Sequence, residues 1–206
     1  MSKNEPGHVG NRRPCVLGIA GSARREGNST ALLRRVLDSL SGEFTAELVF
    51  LADIDIRPCA GCHSCEATGA CRIQDGMTAI YEKLLEADAI LLASPAYMGG
   101  IASRMQAFME RTWPLRKKQL AGKLAGYIVT GRRQIGMATG LMGEYFTRLG
   151  VTGLPGVLGF AFEAGEVERD SEALAQAERL AADVGDLLRA RSVDENTMLA
   201  ATAQKE

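Results

Sequence analysis

Four cysteines lie within thirteen residues of this chain and form the pattern C-x2-C-x2-C-x5-C. They are Cys59, Cys62, Cys65 and Cys71. A cubane [4Fe-4S] centre requires four thiolates, and one short loop supplies them when tight turns separate the first three and the fourth follows after a longer segment. The spacing therefore predicts an iron–sulfur cluster loop, which we call the cysteine loop and place at residues 53–77.

Other roles for these cysteines are compatible with the spacing. Zinc sites usually combine two C-x2-C units about a dozen or more residues apart, so three closely spaced cysteines suit zinc less well. Redox-active or free thiols are a further alternative, whereas structural disulfides suit a secreted chain. The segment from Met1 to Arg13 is polar and contains no apolar signal segment, which favours a reducing, cytoplasmic location. We interpret His63 as a solvated turn residue, because four thiolates complete a ligand set.

A second candidate site is the loop from Gly21 to Thr30, between a predicted strand and a predicted helix. Its side chains offer hydroxyls, an amide and a guanidinium, from Ser22, Ser29, Thr30, Asn28 and Arg24. Together with backbone N–H groups at a helix N-terminus, these groups suit a terminal phosphate. The loop matches neither the dinucleotide nor the P-loop glycine pattern. An ordinary helix capped by Asn28 or Ser29 is the alternative.

The loop from Ser94 to Gly100, after another predicted strand, suits a planar ring. Pro95 stiffens the end of the strand, and Tyr97 and Met98 offer an apolar wall. Gly99 lets backbone amides approach a ring such as a flavin isoalloxazine. A simple turn with a buried tyrosine is equally compatible with this loop.

A third loop, from Thr130 to Gly136, combines glycines with polar side chains. Gly131 and its neighbours suit hydrogen bonds to the pyrimidine edge of a flavin, and Arg132 or Arg133 suits negative charge on the ring or a nicotinamide phosphate. An exposed basic turn is the alternative. We expect Trp113 to lie in the core or at an interface rather than at a cofactor.

These candidate sites require a scaffold, and the length and composition of the chain indicate one α/β domain. The chain has 206 residues, with 24 Lys and Arg against 25 Asp and Glu. A net charge of -1 gives no electrostatic reason to expect nucleic acid or an acidic membrane surface as a partner. No apolar run approaches the roughly eighteen residues that cross a bilayer. We therefore expect small molecules or proteins as partners, and no membrane insertion.

Apolar strand-like runs alternate with helical patterns, which predicts a parallel sheet covered by helices on both faces. The five predicted strands are Cys15–Ala20, Ala46–Leu51, Ala89–Ala93, Leu124–Thr130 and Gly156–Phe162. The predicted helices are one with a stripe formed by Leu32, Leu33, Val36, Leu37 and Leu40, then 77–86, 102–112, 138–149 and 172–190. Residues 1–12 and 192–206 are expected to be mobile ends. Ligands of such a sheet bind beyond the carboxyl ends of the strands.

The loops and the cysteine run together resemble one family. The residues that carry the resemblance are Gly21 to Arg24, Gly27 to Thr30, Pro58 to Cys65, Gly69 to Cys71 and Ser94 to Tyr97. The chain is similar over most of residues 14–165 to the iron–sulfur flavoproteins of the NADPH-dependent FMN reductase superfamily. One departure is Asp75-Gly76-Met77, where the family often has two aspartates before the methionine; we expect this to affect the next helix start and not ligation.

The resemblance implies a flavodoxin-like three-layer fold with a five-stranded parallel sheet and the cluster loop after the second strand. It implies that Cys59, Cys62, Cys65 and Cys71 ligate a [4Fe-4S] cluster. It implies that the phosphate of FMN is bound by Ser22, Arg24, Asn28, Ser29 and Thr30, and that the flavin ring is lined by Pro95, Tyr97, Met98 and Gly99. It also implies homodimers or homotetramers, in which the cluster of one subunit can lie near the FMN of another.

The expected function is electron transfer by an FMN-dependent oxidoreductase. A one-electron donor such as ferredoxin passes electrons through the cluster and FMN to a small acceptor, for example oxygen, peroxide or a quinone. The alternative is an NAD(P)H-dependent FMN or quinone reductase in which the cysteine loop holds no functional cluster. A non-catalytic redox sensor is a third possibility. With His8 and His63 as the only histidines, the chain contains no catalytic triad or other acid–base set, so catalysis is assigned to the cofactors.

Overall fold

The computed structural model describes residues 12–116 and 118–203, with side chains up to residue 193. The strands in this part of the chain are β1 (Cys15–Ala20), β2 (Thr45–Phe50), β3 (Ala89–Tyr97), β4 (Gly100–Ile101), β5 (Leu124–Gly131), β6 (Thr152–Gly153) and β7 (Val157–Phe160). The α-helices are α1 (Asn28–Leu40), α2 (Ser64–Thr68), α3 (Met77–Glu86), α4 (Ser103–Arg111), α5 (Gly136–Leu149) and α6 (Ser171–Ala203).

The sheet is parallel apart from β4, and its order is β2-β1-β3-β5, with β6 and β7 both paired to β5. Strand β4 pairs antiparallel with the end of β3. If β6 and β7 are counted as one interrupted strand, the order is 2-1-3-4-5, which is the flavodoxin-like arrangement. The predicted α/β fold with a five-stranded parallel sheet is thus confirmed.

Successive side chains along each strand point to opposite faces of the sheet, and this divides the core into two layers. In β3, Leu91 and Ala93 pack on one side of the sheet, with α1 and α6, whereas Ile90 and Leu92 pack on the other, with α3, α4 and α5. Gly18 lets α1 approach the sheet closely, because a Cβ atom there would lie 2.7 Å from Leu37 Cδ1. Both faces of the sheet are therefore covered, as the continuous apolar strands predict.

The two helices on the first face have the expected apolar stripes. In α1 the five leucine and valine residues of the predicted stripe are all buried. In α6 the buried residues include Ala177, Ala181, Val184 and Leu188, and Leu174 packs against the same core while remaining partly exposed. These two apolar stripes hold α1 and α6 against the same face of the sheet. They thereby position the start of α1, which forms part of a candidate site.

The largest differences from the expected boundaries are at β3, the fifth strand and α6. Strand β3 continues to Tyr97, because its last residues pair with β4 in a hairpin. The fifth predicted strand, 156–162, is shortened to β7, and the short strand β6 precedes it. Helix α6 runs to Ala203, so the region expected to be a mobile C-terminal end is helical as far as the structure describes it, and residues 1–11 and 204–206 lie outside the described residues. No helix in the described ranges is both long and apolar enough to span a membrane.

Candidate functional site

The three predicted ligand loops meet beyond the carboxyl ends of β1, β3 and β5. They enclose a cavity of about 170 Å³, which we call the phosphate cavity. Its lining includes, from the predicted set, Ser22, Arg24, Asn28, Ser29, Pro95, Tyr97 and Gly131. Residues far apart in the sequence are brought together here because parallel strands end at the same edge of the sheet.

The start of α1 forms the part of the phosphate cavity that is chemically suited to an anion. Gly27 precedes the helix, and within the described residues no side chain caps it, so the first N–H groups of the helix are available to a ligand. The Ser29 hydroxyl is buried and has no hydrogen-bond partner in the described part of the chain. A buried hydroxyl without a partner is uncommon unless a ligand or water completes it. These features fit the phosphate of FMN.

Ser22 shapes the same end of the phosphate cavity. Its Oγ accepts a hydrogen bond of 3.0 Å from the Arg24 backbone N–H, which keeps the loop tight. A Cβ atom at Gly27 would lie 2.7 Å from Ser22 Oγ, so the glycine gives this close approach of the loop to the start of α1.

Two residues of the predicted phosphate set make other contacts. The Asn28 side chain donates from Nδ2 to the Glu163 carbonyl oxygen over 2.9 Å, and its Oδ1 accepts from the Gly165 N–H over 3.0 Å. Asn28 therefore connects the start of α1 to the turn after β7, although it still lines the cavity. Thr30 is fully buried, donates to the Arg24 carbonyl oxygen over 3.5 Å, and does not line the cavity.

The β3–β4 hairpin places only two of the four predicted ring-binding residues at the phosphate cavity. Pro95 and Tyr97 line the phosphate cavity, whereas Met98 and Gly99 lie at the hairpin tip and do not. Met98 is fully exposed, and both tip residues have positive φ, 51° and 84°. Two positive φ values are typical of a two-residue hairpin turn. The assignment of Met98 and Gly99 to a flavin ring stays a prediction.

Sequence reasoning missed the contribution of the segment after β7. Ala161 and Phe162 line the phosphate cavity, and the Arg132 guanidinium lies 5.3 Å from the centre of the Phe162 ring. Phe162 remains 60% exposed, so an aromatic face borders the mouth of the cavity. The signal was available, because residues that follow a fifth parallel strand must lie at the same sheet edge as the other three loops.

All four cysteines of the predicted cluster set line one cavity of about 260 Å³, which we call the cysteine cavity. None of the described cysteines forms a disulfide. The wall also includes His63, Ile73, Glu110 and Trp113. The loop carries only one short helix, α2, so the cysteines are positioned mainly by turns.

The four thiols share one cavity and do not converge on a single point. Among the described residues, no three His, Cys, Asp or Glu side chains are placed to bind one metal ion. A zinc site requires such convergence on a single point. In a cubane each thiolate binds a different iron, so the four ligands surround a common volume instead. Four thiols outside any disulfide line one cavity here, which is the donor set that a cubane uses.

Thiol acidity differs around the cysteine cavity. The Ser64 hydroxyl and backbone N–H lower the pKa of Cys62, which is exposed. Burial raises the pKa of Cys65. His63 is exposed, as expected for a turn residue, and its left-handed conformation (φ 54°) starts α2.

Trp113 does not lie in the core as expected. It is 43% exposed, lines the cysteine cavity and has the Arg116 guanidinium 4.4 Å from its ring centre. The core was therefore wrong as one of the two expected places, and the other, an interface, stays a prediction. A single tryptophan after a helical pattern gives no indication of which side of the helix end it occupies.

Gly76 stands where the family resembled by the sequence often has a second aspartate, and the structure gives a steric reason for the glycine. A Cβ atom at this residue would lie 2.1 Å from Ile54 Cγ2 and 3.1 Å from the Asp55 carbonyl oxygen. The Gly76 N–H donates to that same carbonyl over 3.0 Å, which brings the two ends of the cysteine loop together. Asp75 supports the start of α3, since its Oδ1 accepts from the Met77 N–H over 3.1 Å.

The fifth cysteine lies apart from this cavity. Cys15 begins β1, is partly buried, and donates its backbone N–H to Asp88 Oδ2 over 2.7 Å. Burial, and then the charges of Glu47 and Asp88, raise the pKa of its thiol.

Comparison with known proteins agrees with this geometry. The family model of NADPH-dependent FMN reductases matches residues 14–162. An iron–sulfur flavoprotein of Methanocaldococcus jannaschii is 41% identical over 123 residues, which are 59% of this chain and 64% of that protein. An iron–sulfur flavoprotein of Archaeoglobus fulgidus is 32% identical over 156 residues, 74% of this chain and 71% of that protein. The match to the first relative thus spans less than two thirds of its length.

Solved structures support the fold. The Trp repressor binding protein of Bacillus subtilis superimposes with a TM-score of 0.62 at 25% identity. The match covers 80% of this chain and 99% of that one. The resemblance to a flavodoxin-like architecture, inferred from the loops and the cysteine run, is confirmed.

Proposed function

The chain belongs to the NADPH-dependent FMN reductase family, and from this membership we propose that it is an FMN-dependent oxidoreductase that also carries a [4Fe-4S] cluster. In this proposal, electrons pass from a one-electron donor such as ferredoxin through the cluster and FMN to a small acceptor: oxygen, peroxide or a quinone. The observation that carries the proposal is that all four clustered cysteines line one cavity while a separate cavity presents an uncapped helix start and the unpaired Ser29 hydroxyl.

The residues of the phosphate cavity would bind and orient FMN. The Ser29 hydroxyl and the first N–H groups of α1 would donate to phosphate oxygens, and Arg24 would supply a positive charge. Pro95 and Tyr97 form one wall, and Gly131 lines the end of β5, where a Cβ atom would lie 2.7 Å from Ile135 Cγ2. The neighbouring Arg132 provides the positive charge that favours extra negative charge on a bound flavin.

The four cysteine thiolates would ligate the cluster, and Trp113 and Ile73 shield part of the cysteine cavity from water. When bound, the cluster supplies one-electron transfer and FMN supplies one- and two-electron chemistry. The remaining features of the proposal are a homodimer or homotetramer and a cytoplasmic location.

The deciding experiment is anaerobic purification followed by measurement of iron, sulfide, zinc and flavin per chain. About four iron, about four sulfide and about one FMN are expected. Spectra before and after dithionite should then show bleaching of both chromophores. FMN without iron, in a sample never exposed to oxygen, would reject the cluster and leave the plain reductase.

The alternative is an NAD(P)H-dependent FMN or quinone reductase whose cysteine loop holds no functional cluster. The family description favours it, and Arg24 and Arg132 around the phosphate cavity suit an approaching nicotinamide phosphate. Stopped-flow mixing separates the two functions. Fast bleaching of bound flavin by NADPH supports the alternative, whereas fast reduction by ferredoxin with slow reduction by NADPH supports the cluster function.

A further inference from the structure

A buried ion pair lies at the base of the cysteine loop. Arg111, the last residue of α4, is 1% exposed, and Asp75 is almost equally buried. The guanidinium binds the carboxylate through two bonds, Nη1 to Oδ2 at 2.6 Å and Nη2 to Oδ1 at 3.1 Å. This bidentate geometry is the one in which arginine binds a carboxylate most specifically.

The same guanidinium holds both ends of the cysteine loop. Nη1 also donates to the Arg57 carbonyl oxygen over 2.8 Å, and Nη2 donates to the Ile73 carbonyl oxygen over 3.1 Å. Asp75 accepts in addition from the Arg57 N–H over 3.0 Å. The chain that leaves and returns to this point, residues 58–72, carries all four cysteines.

Helix α4 gives this contact a rigid support. Its Met105 and Phe108 are fully buried in the core on the second face of the sheet. Tyr81 of α3 donates its hydroxyl to the Arg111 carbonyl oxygen over 2.6 Å, so α3 and α4 are connected at the same place. The turns that carry the cysteines lack such support, because α2 has no buried residue.

Arg111 also brings a buried positive charge near the cysteines. The guanidinium binds the carbonyl oxygen of Ile73, which lies two residues after Cys71 and lines the cysteine cavity with it. A buried charge acts over longer distances than an exposed one, because water screens it less. It therefore favours the more negative of two oxidation states at the cysteine cavity.

We propose that Arg111 is the positioning residue of the cysteine loop. Its hydrogen bonds to Asp75, Arg57 and Ile73 close the loop before any cluster is bound, and its charge raises the reduction potential of the cluster once bound. The second role rests on the proposed function; the first does not.

Hydrogen exchange of the full chain without iron tests the first role. Arg111→Met and Arg111→Lys should each speed exchange in peptides from residues 57–75 by about tenfold or more, while peptides from β1 and β3 stay protected. Lysine should not keep the loop closed, because it lacks the planar guanidinium that binds the carboxylate and two carbonyl oxygens at once. Arg148→Met is the matched control, since Arg148 makes an exposed pair with Glu144 on α5. Unchanged loop exchange in both Arg111 variants would overturn the first role.

The reduction potential tests the second role, and Arg111→Lys separates it from loop closure, because lysine keeps the charge without closing the loop. After anaerobic iron and sulfide reconstitution, Arg111→Met should lower the potential, and Arg111→Lys, which keeps the charge, should restore most of the difference. An unchanged potential in a fully loaded Arg111→Met protein overturns this role. If Arg111→Met does not fold, as judged by lost FMN binding, Arg111→Lys and Asp75→Asn provide the loop-exchange result instead. If the wild type takes up no iron, the proposed function fails, and hydrogen exchange still decides the first role.

Discussion

The phosphate cavity lies against the ends of four strands, whereas the cysteine cavity lies in a loop with one five-residue helix. The first cavity is formed by segments directly continuous with the sheet, and Ser22, Ser29 and Thr130 in or beside it are all buried. In the second, Cys59 and Cys62 are exposed, and the main buried polar contact is the Arg111–Asp75 pair at the loop base.

This difference indicates two ways of building a site on one sheet. The fold itself produces the phosphate cavity, because an uncapped helix start beside parallel strand ends is part of the architecture. The cysteine cavity depends on a local insertion that has little core of its own. We therefore expect substitutions in the insertion to change cluster binding without changing FMN binding, and the reverse for the phosphate cavity.

The largest expected effect is loss of the cluster when one thiol is removed. Cys62→Ser should reduce iron and sulfide from about four per chain to near zero, because the ligand set is incomplete. FMN content should stay at the wild-type level, since Cys62 does not line the phosphate cavity. Metal, sulfide and flavin analysis of anaerobic samples measures both quantities.

Cys15→Ser is the matched control for that substitution. Cys15 lies in β1, outside the cysteine cavity, so this variant should keep both iron and FMN. Loss of FMN together with iron in Cys62→Ser would show that the two sites are not independent.

The next effect in size concerns stability at the loop base. Asp75→Asn should lower the free energy of unfolding of the iron-free protein by about 3–5 kcal/mol, because it leaves the Arg111 guanidinium buried without its counter-charge. Urea unfolding monitored by circular dichroism gives the value.

Glu144→Gln provides the comparison for Asp75→Asn. Glu144 pairs with Arg148 in solvent, so its removal should change the free energy by less than about 0.5 kcal/mol. Equal effects of the two substitutions would contradict a special role of the buried pair.

A smaller effect is expected at the phosphate cavity. Ser29→Ala should weaken FMN binding by about 1.5–3 kcal/mol, roughly 10- to 150-fold, because the hydroxyl is expected to bond a charged phosphate. Stability of the FMN-free protein should change little, since Ser29 Oγ has no partner among the described residues. Fluorescence titration with FMN, beside thermal unfolding of the apoprotein, tests both statements.

Ser39→Ala on the same helix is the control for Ser29→Ala. Its hydroxyl bonds the Arg35 carbonyl oxygen on the exposed face of α1, so FMN affinity should be unchanged. Similar FMN affinity in the two variants would remove Ser29 from the phosphate set.

The contrast between the two regions also explains what the sequence could predict. The strands and helices were predictable because apolar runs and stripes such as that of α1 are local patterns. The three ligand loops were predictable because topology places strand ends together. The position of Met98 was not, since the hairpin depends on pairing of Ala96 with Ile101.

Arg111 shows the other limit of prediction. In an amphipathic helix pattern an arginine suggests the solvent-facing side. The burial of Arg111 depends on Asp75, which lies 36 residues away in the chain. Cysteine spacing predicts the ligand set, but it carries no information about the side chains that hold the loop closed. Such contacts become visible only when the packing of α3 and α4 is known.

The smallest expected effect is the pH dependence of the loop-base ion pair. Burial acts to raise the pKa of Asp75, but hydrogen bonds from Arg111 and from the N–H groups of Arg57 and Met77 outweigh it, so the pKa lies below its ordinary value of 3.8. A lowered pKa means that the unfolded state binds protons first as the pH falls. The stabilisation is therefore complete well above pH 3.8 and is lost as the pH falls through the folded-state pKa.

Urea unfolding of wild type and Asp75→Asn between about pH 7 and pH 3.5 measures this contribution, because asparagine does not titrate. The difference in free energy between the two proteins should be constant above about pH 5 and should narrow below about pH 4. A difference that already narrows between about pH 7 and pH 6 would mean that the Asp75 carboxylate is not stabilised by Arg111. In that case the cysteine loop would be held by its turns alone, and the contrast with the phosphate cavity would be larger than the structure indicates.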